Sequence, residues 1–166
     1  PYNKGGTFRK WYGNREYVVN WKNNGEDIKA IKPKSVVRSP QLYFKESITW
    51  SEITSSWKSF RLNPKGSISD VKGQSAYFKS ESELFRALCW LNSNITEYLT
   101  KVLNPTLSFQ SGDYKSLPMP SLGSEFEIYA RNAVEITKND WDSIEISFDF
   151  KTNSLMSFGS SLAESY

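Results

Sequence analysis

Ser80 to Pro105, SESELFRALCWLNSNITEYLTKVLNP, decides how this chain is read. Leu84, Leu88, Leu91, Ile95, Tyr98 (with Leu99) and Val102 recur at spacings of three and four, which puts them on one stripe of an α-helix. Ser80 and Ser82 are N-cap residues by type, and Glu81 and Glu83 suit the positive end of the helix dipole. Asn104-Pro105 stops the pattern, because proline has no amide hydrogen to donate and its ring clashes with the preceding turn. The spacing therefore predicts one core helix over 81–102, buried along its stripe.

Upstream of that helix the chain reads as strands. Tyr17-Val18-Val19-Asn20-Trp21 has the β-branched and aromatic content of a strand, and Asn23-Asn24-Gly25 turns it. Glu26 to Ile31 is one helical turn or a short strand, and Pro33 to Pro40 a basic loop. Leu42–Lys45 and Ser47–Trp50 are strand candidates. Ser59–Leu62 and Ser67–Val71 flank Asn63-Pro64-Lys65-Gly66, a turn-forming quartet with proline at its second position. Together they predict a hairpin with Arg61 and Lys65 near its tip. Ser75–Phe78 is a further short strand.

Downstream, Thr106–Gln110 reads as a returning strand closed by Leu117-Pro118-Met119-Pro120. Ser124-x-x-Glu127 has the capping-box spacing and opens a helix to about Thr137. Asn139 or Asp140 caps a third helix through Trp141, Ile144 and Phe148. Trp50 and Trp57 are assigned to the core. The fold class expected is α+β: mixed, mainly antiparallel strands in the N-terminal half, with a long core helix and C-terminal helices. The expected divisions are a domain over 1–122 (strand-rich 1–79, core helix 81–102, closing strand 106–120), a helical segment over 123–150, and a flexible tail over 151–166.

At 166 residues, 38% of them hydrophobic, the chain can build one core, and 25 Trp, Tyr and Phe favour strands and interfaces. No apolar run approaches the ~18 residues that span a bilayer. The single Cys89 cannot form an internal disulfide, which fits a reducing cytoplasm. Opening on Pro1 rather than Met, the chain reads as an excised piece of a longer protein.

The net charge of +3 hides an asymmetry. Residues 1–72 hold 14 Lys/Arg against 6 Asp/Glu, and residues 73–166 hold 7 against 12. Such polarity suggests that one half meets a polyanion. Within the basic half, Lys4-Gly5-Gly6-Thr7-Phe8-Arg9-Lys10-Trp11-Tyr12-Gly13-Asn14-Arg15 interleaves cations, flat rings and glycines. Lys4, Arg9, Lys10, Arg15 and Lys65 are candidates for phosphate contacts, because cations supply sequence-independent affinity for nucleic acid. Asn14, Arg61 and Gln110 have the amide or guanidinium geometry that reads adenine or guanine edges. Trp11 and Tyr12 either lie on a sugar-phosphate wall or staple the loop. Each candidate has a plainer alternative: a solvated basic loop, a turn asparagine beside Gly13, a glutamine satisfying a strand end.

Enzyme chemistry has little to work with. There is no histidine, the commonest general base and zinc ligand, and one cysteine cannot build a thiolate metal site. Neither GxxxxGK[ST] nor GxGxxG occurs. Asp140 and Asp142 near a helix start suit capping better than metal binding. Asn104-Pro105-Thr106 lacks the second proline and the aromatic residue of the amino-methyltransferase signature. No catalytic, cofactor or metal residue is assigned in this chain.

Four blocks, Phe8–Asn14, Ile48–Ser51, Leu103–Asp113 and Asp140–Ser143, resemble in consistent order the C-terminal part of the PglX family. That family comprises adenine-specific DNA methyltransferases of BREX phage-defence systems, related to type IIG restriction-modification enzymes. Leu91-Asn92-Ser93 followed by Leu117-Pro118-Met119-Pro120 also looks like the end of target recognition domains in type I specificity subunits. Ser47 and Ser111 depart from the family's glycine and small apolar residue. The resemblance implies a target-recognition-domain-like fold and, as function, sequence-specific recognition of duplex DNA for an N6-adenine methyltransferase. It further implies that the S-adenosylmethionine site lies in an upstream catalytic domain of the parent. The expected partners are double-stranded DNA, that methyltransferase domain and other defence-system proteins, with no membrane. A single-stranded DNA or RNA-binding module and a protein-interaction scaffold are the rival classes.

Overall fold

The computed structural model describes residues 1–31, 33–153 and 156. Its centre is a three-stranded antiparallel sheet of β2 (Ser47–Ser51), β3 (Phe60–Asn63) and β5 (Gly73–Ala76), in the order β3-β2-β5. Ile48 pairs with Leu62 on one side and Ala76 on the other, so β2 is buried from both edges. A separate parallel pair joins β1 (Tyr2–Asn3) to β4 (Ile68–Ser69). The α+β class is as expected.

The hairpin is not formed. β3 pairs with β2, and the turn at 63–66 delivers the chain to β4 and its partner β1. The competing contacts are long-range. Asn63 Nδ2 donates to Ser47 Oγ at 3.2 Å, while the amides of Phe44 and Gly66 donate to the carbonyls of Ser67 and Phe44. Arg61 therefore sits buried within β3, an edge strand of the sheet, not at a tip; Lys65 alone remains on the exposed turn.

The helix expected over 81–102 is two helices, α2 (Glu81–Leu91) and α3 (Asn94–Leu103). Ser80 caps the first, accepting from the Glu83 amide at 3.2 Å, and α3 ends at Asn104 as the Asn-Pro pair requires. Asn92 makes the break. Its side-chain amide donates to Phe60 O at 2.9 Å and its Oδ1 accepts from Phe60 N at 3.2 Å, so it serves as a partner for the outer edge of β3. Ser93 then caps the new helix through the Thr96 amide. Leu84, Leu88 and Leu91 are buried as expected, whereas Ile95, Tyr98 and Val102 are exposed.

Trp50 organises the core. Its indole donates to Phe109 O at 2.9 Å, and its ring stacks on Tyr114 with centroids 5.0 Å apart. Phe60, Phe109, Leu88 and Ile48 close around it, and a large aromatic group so enclosed contributes both area burial and ring–ring attraction. Trp57, assigned to the core with it, lies half in solvent beneath Lys101, whose Nζ is 3.3 Å from the ring centroid.

The remaining expectations divide similarly. Residues 18–21 form no strand, Tyr17 making only an isolated bridge to Tyr2, and Leu42–Lys45 begins as the end of a 3-10 turn over Pro40–Leu42. α1 (Lys22–Ala30) opens with Asn23, Asn24 and Gly25 at φ of 49, 58 and 73°, a left-handed turn ahead of its helical part. The closing strand shrinks to an Ile53–Ser108 bridge, after which α4 (Ser111–Lys115) begins with the Gln110 amide bound to Asp113 at 2.7 Å. The two C-terminal helices are one, α5 (Ser124–Asp142), starting after Gly123. Glu127 is engaged with Ser82 and Arg131 instead of a capping box, and buried Trp141 continues the helix where a new cap was expected. α5 packs along α2 through Ala130 and Val134. Most of the tail expected over 151–166 lies outside the described residues.

Candidate nucleic-acid interface

The loop over residues 4–15 is fastened from beneath. Trp11, at φ 71°, lies alongside the free edge of β3: its amide donates to Phe60 O at 2.9 Å and its carbonyl accepts from Leu62 N at 2.7 Å. An edge strand otherwise presents unpaired main-chain groups, and Trp11 and Asn92 together cover this one. Tyr12 is buried in the core. Both rings thus hold the loop down.

Asn14 is buried at φ 56° and donates to Thr7 O at 2.8 Å, closing the loop from within. Gly13 has φ 118°, and a Cβ there would lie 2.9 Å from the Trp141 ring, so both conformation and space require glycine. Arg61 is fully buried below. It donates to Arg9 O at 3.3 Å, Ser59 Oγ at 3.4 Å and Ser51 Oγ at 3.4 Å. Burial, and secondarily the Arg9 charge, push its guanidinium down to about 10, still cationic at neutral pH.

Three of the five cations chosen for phosphate already have hydrogen-bonding partners within the protein. Arg9 reaches Asp140 at 2.8 Å and lies over Trp141. Lys10 donates to Asn92 O at 3.0 Å and stands 3.9 Å from Glu97. Arg15 donates to the Tyr12 hydroxyl at 2.6 Å. Lys4 covers the Tyr17 ring, and Lys65 is exposed on its turn.

A second basic surface is free. Residues 33–45 carry Lys34, Arg38 and Lys45 with no acidic residue, and all three side chains are exposed. The Phe44 ladder to Gly66 and Ser67 places Lys45 beside the turn that carries Lys65. Among the described residues none of these four cations is in an ion pair.

The same segment walls an open cleft of about 630 Å³. Trp21, Tyr43, Tyr2 and Tyr77 give it aromatic sides, with Trp21 and Tyr43 edge to face at 5.1 Å. Arg38, Gln74 and Gln110 bring hydrogen-bonding groups to it, and Asp70 and Glu52 supply carboxylates. Burial, then Asp70, push the Tyr2 phenol up to about 12, so it stays a donor at any physiological pH. Gln110 is the one base-reading candidate placed there; Asn14 and Arg61 are beneath the other loop. Arg38 was legible only as part of a basic loop, and nothing in the sequence marks Gln74. Among the described residues there is no group of histidine, cysteine and carboxylate side chains able to hold a metal. Among them, too, no helix is long and apolar enough to cross a membrane.

No family model matches the chain. Over 94% of its length it is 39% identical to the adenine-specific methyltransferase PglX of Lacticaseibacillus casei (strain Zhang). Over its whole length it is 34% identical to the adenine-specific methyltransferase BrxX of Escherichia coli O9:H4 (strain HS). The chain is homologous to a segment of PglX-like proteins. It spans only 14% of the length of either relative. The resemblance read from four sequence blocks is borne out along the entire PglX-like segment.

Proposed function

We propose that this segment recognises duplex DNA on behalf of a PglX-like N6-adenine methyltransferase of a BREX or restriction-modification system. The observation that carries the reading is the pairing of unengaged cations with an adjacent polar, aromatic-walled cleft. Lys34, Arg38, Lys45 and Lys65 are free to meet phosphates, and Arg38, Gln74 and Gln110 lie where a base edge entering the cleft would meet them.

A methyltransferase that extrudes its adenine spends a few kcal/mol on unstacking. Phosphate contacts from a second surface offset that cost, and contacts to base edges add sequence discrimination. In this division of labour the adenine pocket and the S-adenosylmethionine site belong to the rest of the parent, and the segment performs no chemistry. The loop over 4–15 has a supporting role: Arg9, Lys10 and Arg15 hold it against α5, α3 and Tyr12.

Replacing Lys34, Arg38, Lys45 and Lys65 together by alanine in the full-length protein tests this. Each lost phosphate contact lowers the slope of log K against log salt by about 0.9, so loss of two to four contacts gives a drop of roughly 1.8–3.6. Arg9→Ala with Lys10→Ala should leave the slope nearly unchanged. A quadruple variant with the parental slope overturns the assignment.

A further inference from the structure

α3 is inverted. Thr96 and Thr100, at 0% and 2% exposure, face the protein, and Ile95, Tyr98 and Val102, at 59%, 67% and 62%, face outward. The threonines are satisfied inside: Thr96 Oγ1 donates to Trp90 O at 2.7 Å and Thr100 Oγ1 to Glu97 O at 2.9 Å. The outward residues stand at i, i+3 and i+7, which makes them one continuous apolar face rather than scattered surface side chains.

A separate groove of about 470 Å³ lies at the end of the helix, lined by none of these three side chains. Thr100 and Lys101 form one wall, Trp57, Pro105 and Leu107 the others, with Trp57 and Leu107 about half exposed. Hydrogen bonds hold the groove in shape, Thr54 N donating to Leu107 O at 3.1 Å and the Lys58 side chain donating through Nζ to the carbonyls of Thr106 and Leu107 at 3.1 Å. Its charged side chains, Lys58 and Lys101, are both cations. Glu97, the acid of α3, is already bound to Lys10 and Lys101.

We propose that the Ile95–Tyr98–Val102 face docks the apolar side of a helix supplied by the remainder of the PglX-like polypeptide. Two observations select this occupant. The relatives carry about six-sevenths of their length outside the matched segment, so the parent holds ample chain to cover the face. The face itself is three adjacent apolar side chains, which suit another apolar surface and are a poor match for a phosphate backbone. An interface between domains of one chain typically buries about 600–1,500 Å², and an amphipathic helix laid in a groove is anchored through the same i, i+3, i+7 spacing. The inference does not depend on DNA recognition.

The test is photocrosslinking in the full-length protein, with p-benzoylphenylalanine at position 98 and, as a control, at exposed position 79. Irradiation without DNA should give an intrachain product at 98 and little at 79, and peptide mapping should place the link in a helix outside this segment. Val102→Asp should reduce that product at least fivefold. Links to a second copy, links that form only when DNA is added, or no product at position 98 would each overturn the proposal.

Discussion

Arg61 Nη1 donates to the main-chain carbonyl of Arg9 at 3.3 Å, so a cation buried in the central sheet props up the loop that looked most like a DNA contact. No carboxylate pairs with Arg61 among the described residues; its partners are one carbonyl and two hydroxyls. Arg61→Ala should cost about 2–4 kcal/mol, combining a cavity with groups left unpaired. Arg61→Met, which keeps the volume and removes the charge, should recover much of that loss. Urea unfolding of the three proteins checks this. A loss in the alanine variant below about 0.5 kcal/mol, the range of an ordinary surface substitution, would contradict the supporting role.

The break at Asn92 separates two leucine-like positions that one stripe would treat alike. Leu91→Ala should cost about 2–5 kcal/mol, because Leu91 is buried between α2 and the sheet. Ile95→Ala in the same 166-residue chain should fall within about 0.5 kcal/mol of the parent. Thermal melts that showed equal losses would restore the single buried helix.

That break shows how much was legible beforehand. Ser80 with Glu81 and Glu83, and Asn104-Pro105, mark helix ends through local chemistry, and both ends are where the sequence puts them. The interruption is invisible locally, since Leu91, Ile95, Tyr98 and Val102 keep the apolar period across it; what enforces it is a bond from Asn92 to Phe60, 32 residues away. The hairpin failed for the same reason. Asn63-Pro64-Lys65-Gly66 specifies a turn but not which strand Phe60–Asn63 will join. The partners of the candidate site residues were the least legible. Whether Arg9 and Lys10 are free depends on Asp140 and Glu97, distant carboxylates that no local reading connects to them.

The contact between α2 and α5 has an acid-sensitive component. Bonds from Ser82 first, then Arg131, hold the Glu127 carboxyl below its ordinary value of 4.5. A group depressed in the folded state adds stability that is complete above its unfolded pKa. That stability is lost as pH falls through the folded value, so the window lies below about 4.5. Glu127→Gln should therefore flatten the acid limb of a melting-temperature profile while the difference between the two proteins at pH 7 stays constant up to pH 9. An identical acid limb in both would show that these bonds do not persist in solution.

The central claim is that this segment sets which DNA sequence a PglX-like enzyme methylates. The direct measurement is sequencing of N6-methyladenine in cells whose full-length protein carries, in place of residues 1–153, the corresponding segment of a relative with a different methylation site. If the proposed division of labour holds, methylation persists and moves to the donor's sequence, since the exchange would replace base-edge contacts and leave the cofactor site and adenine pocket untouched. Methylation that persists at the recipient's original sequence would contradict it.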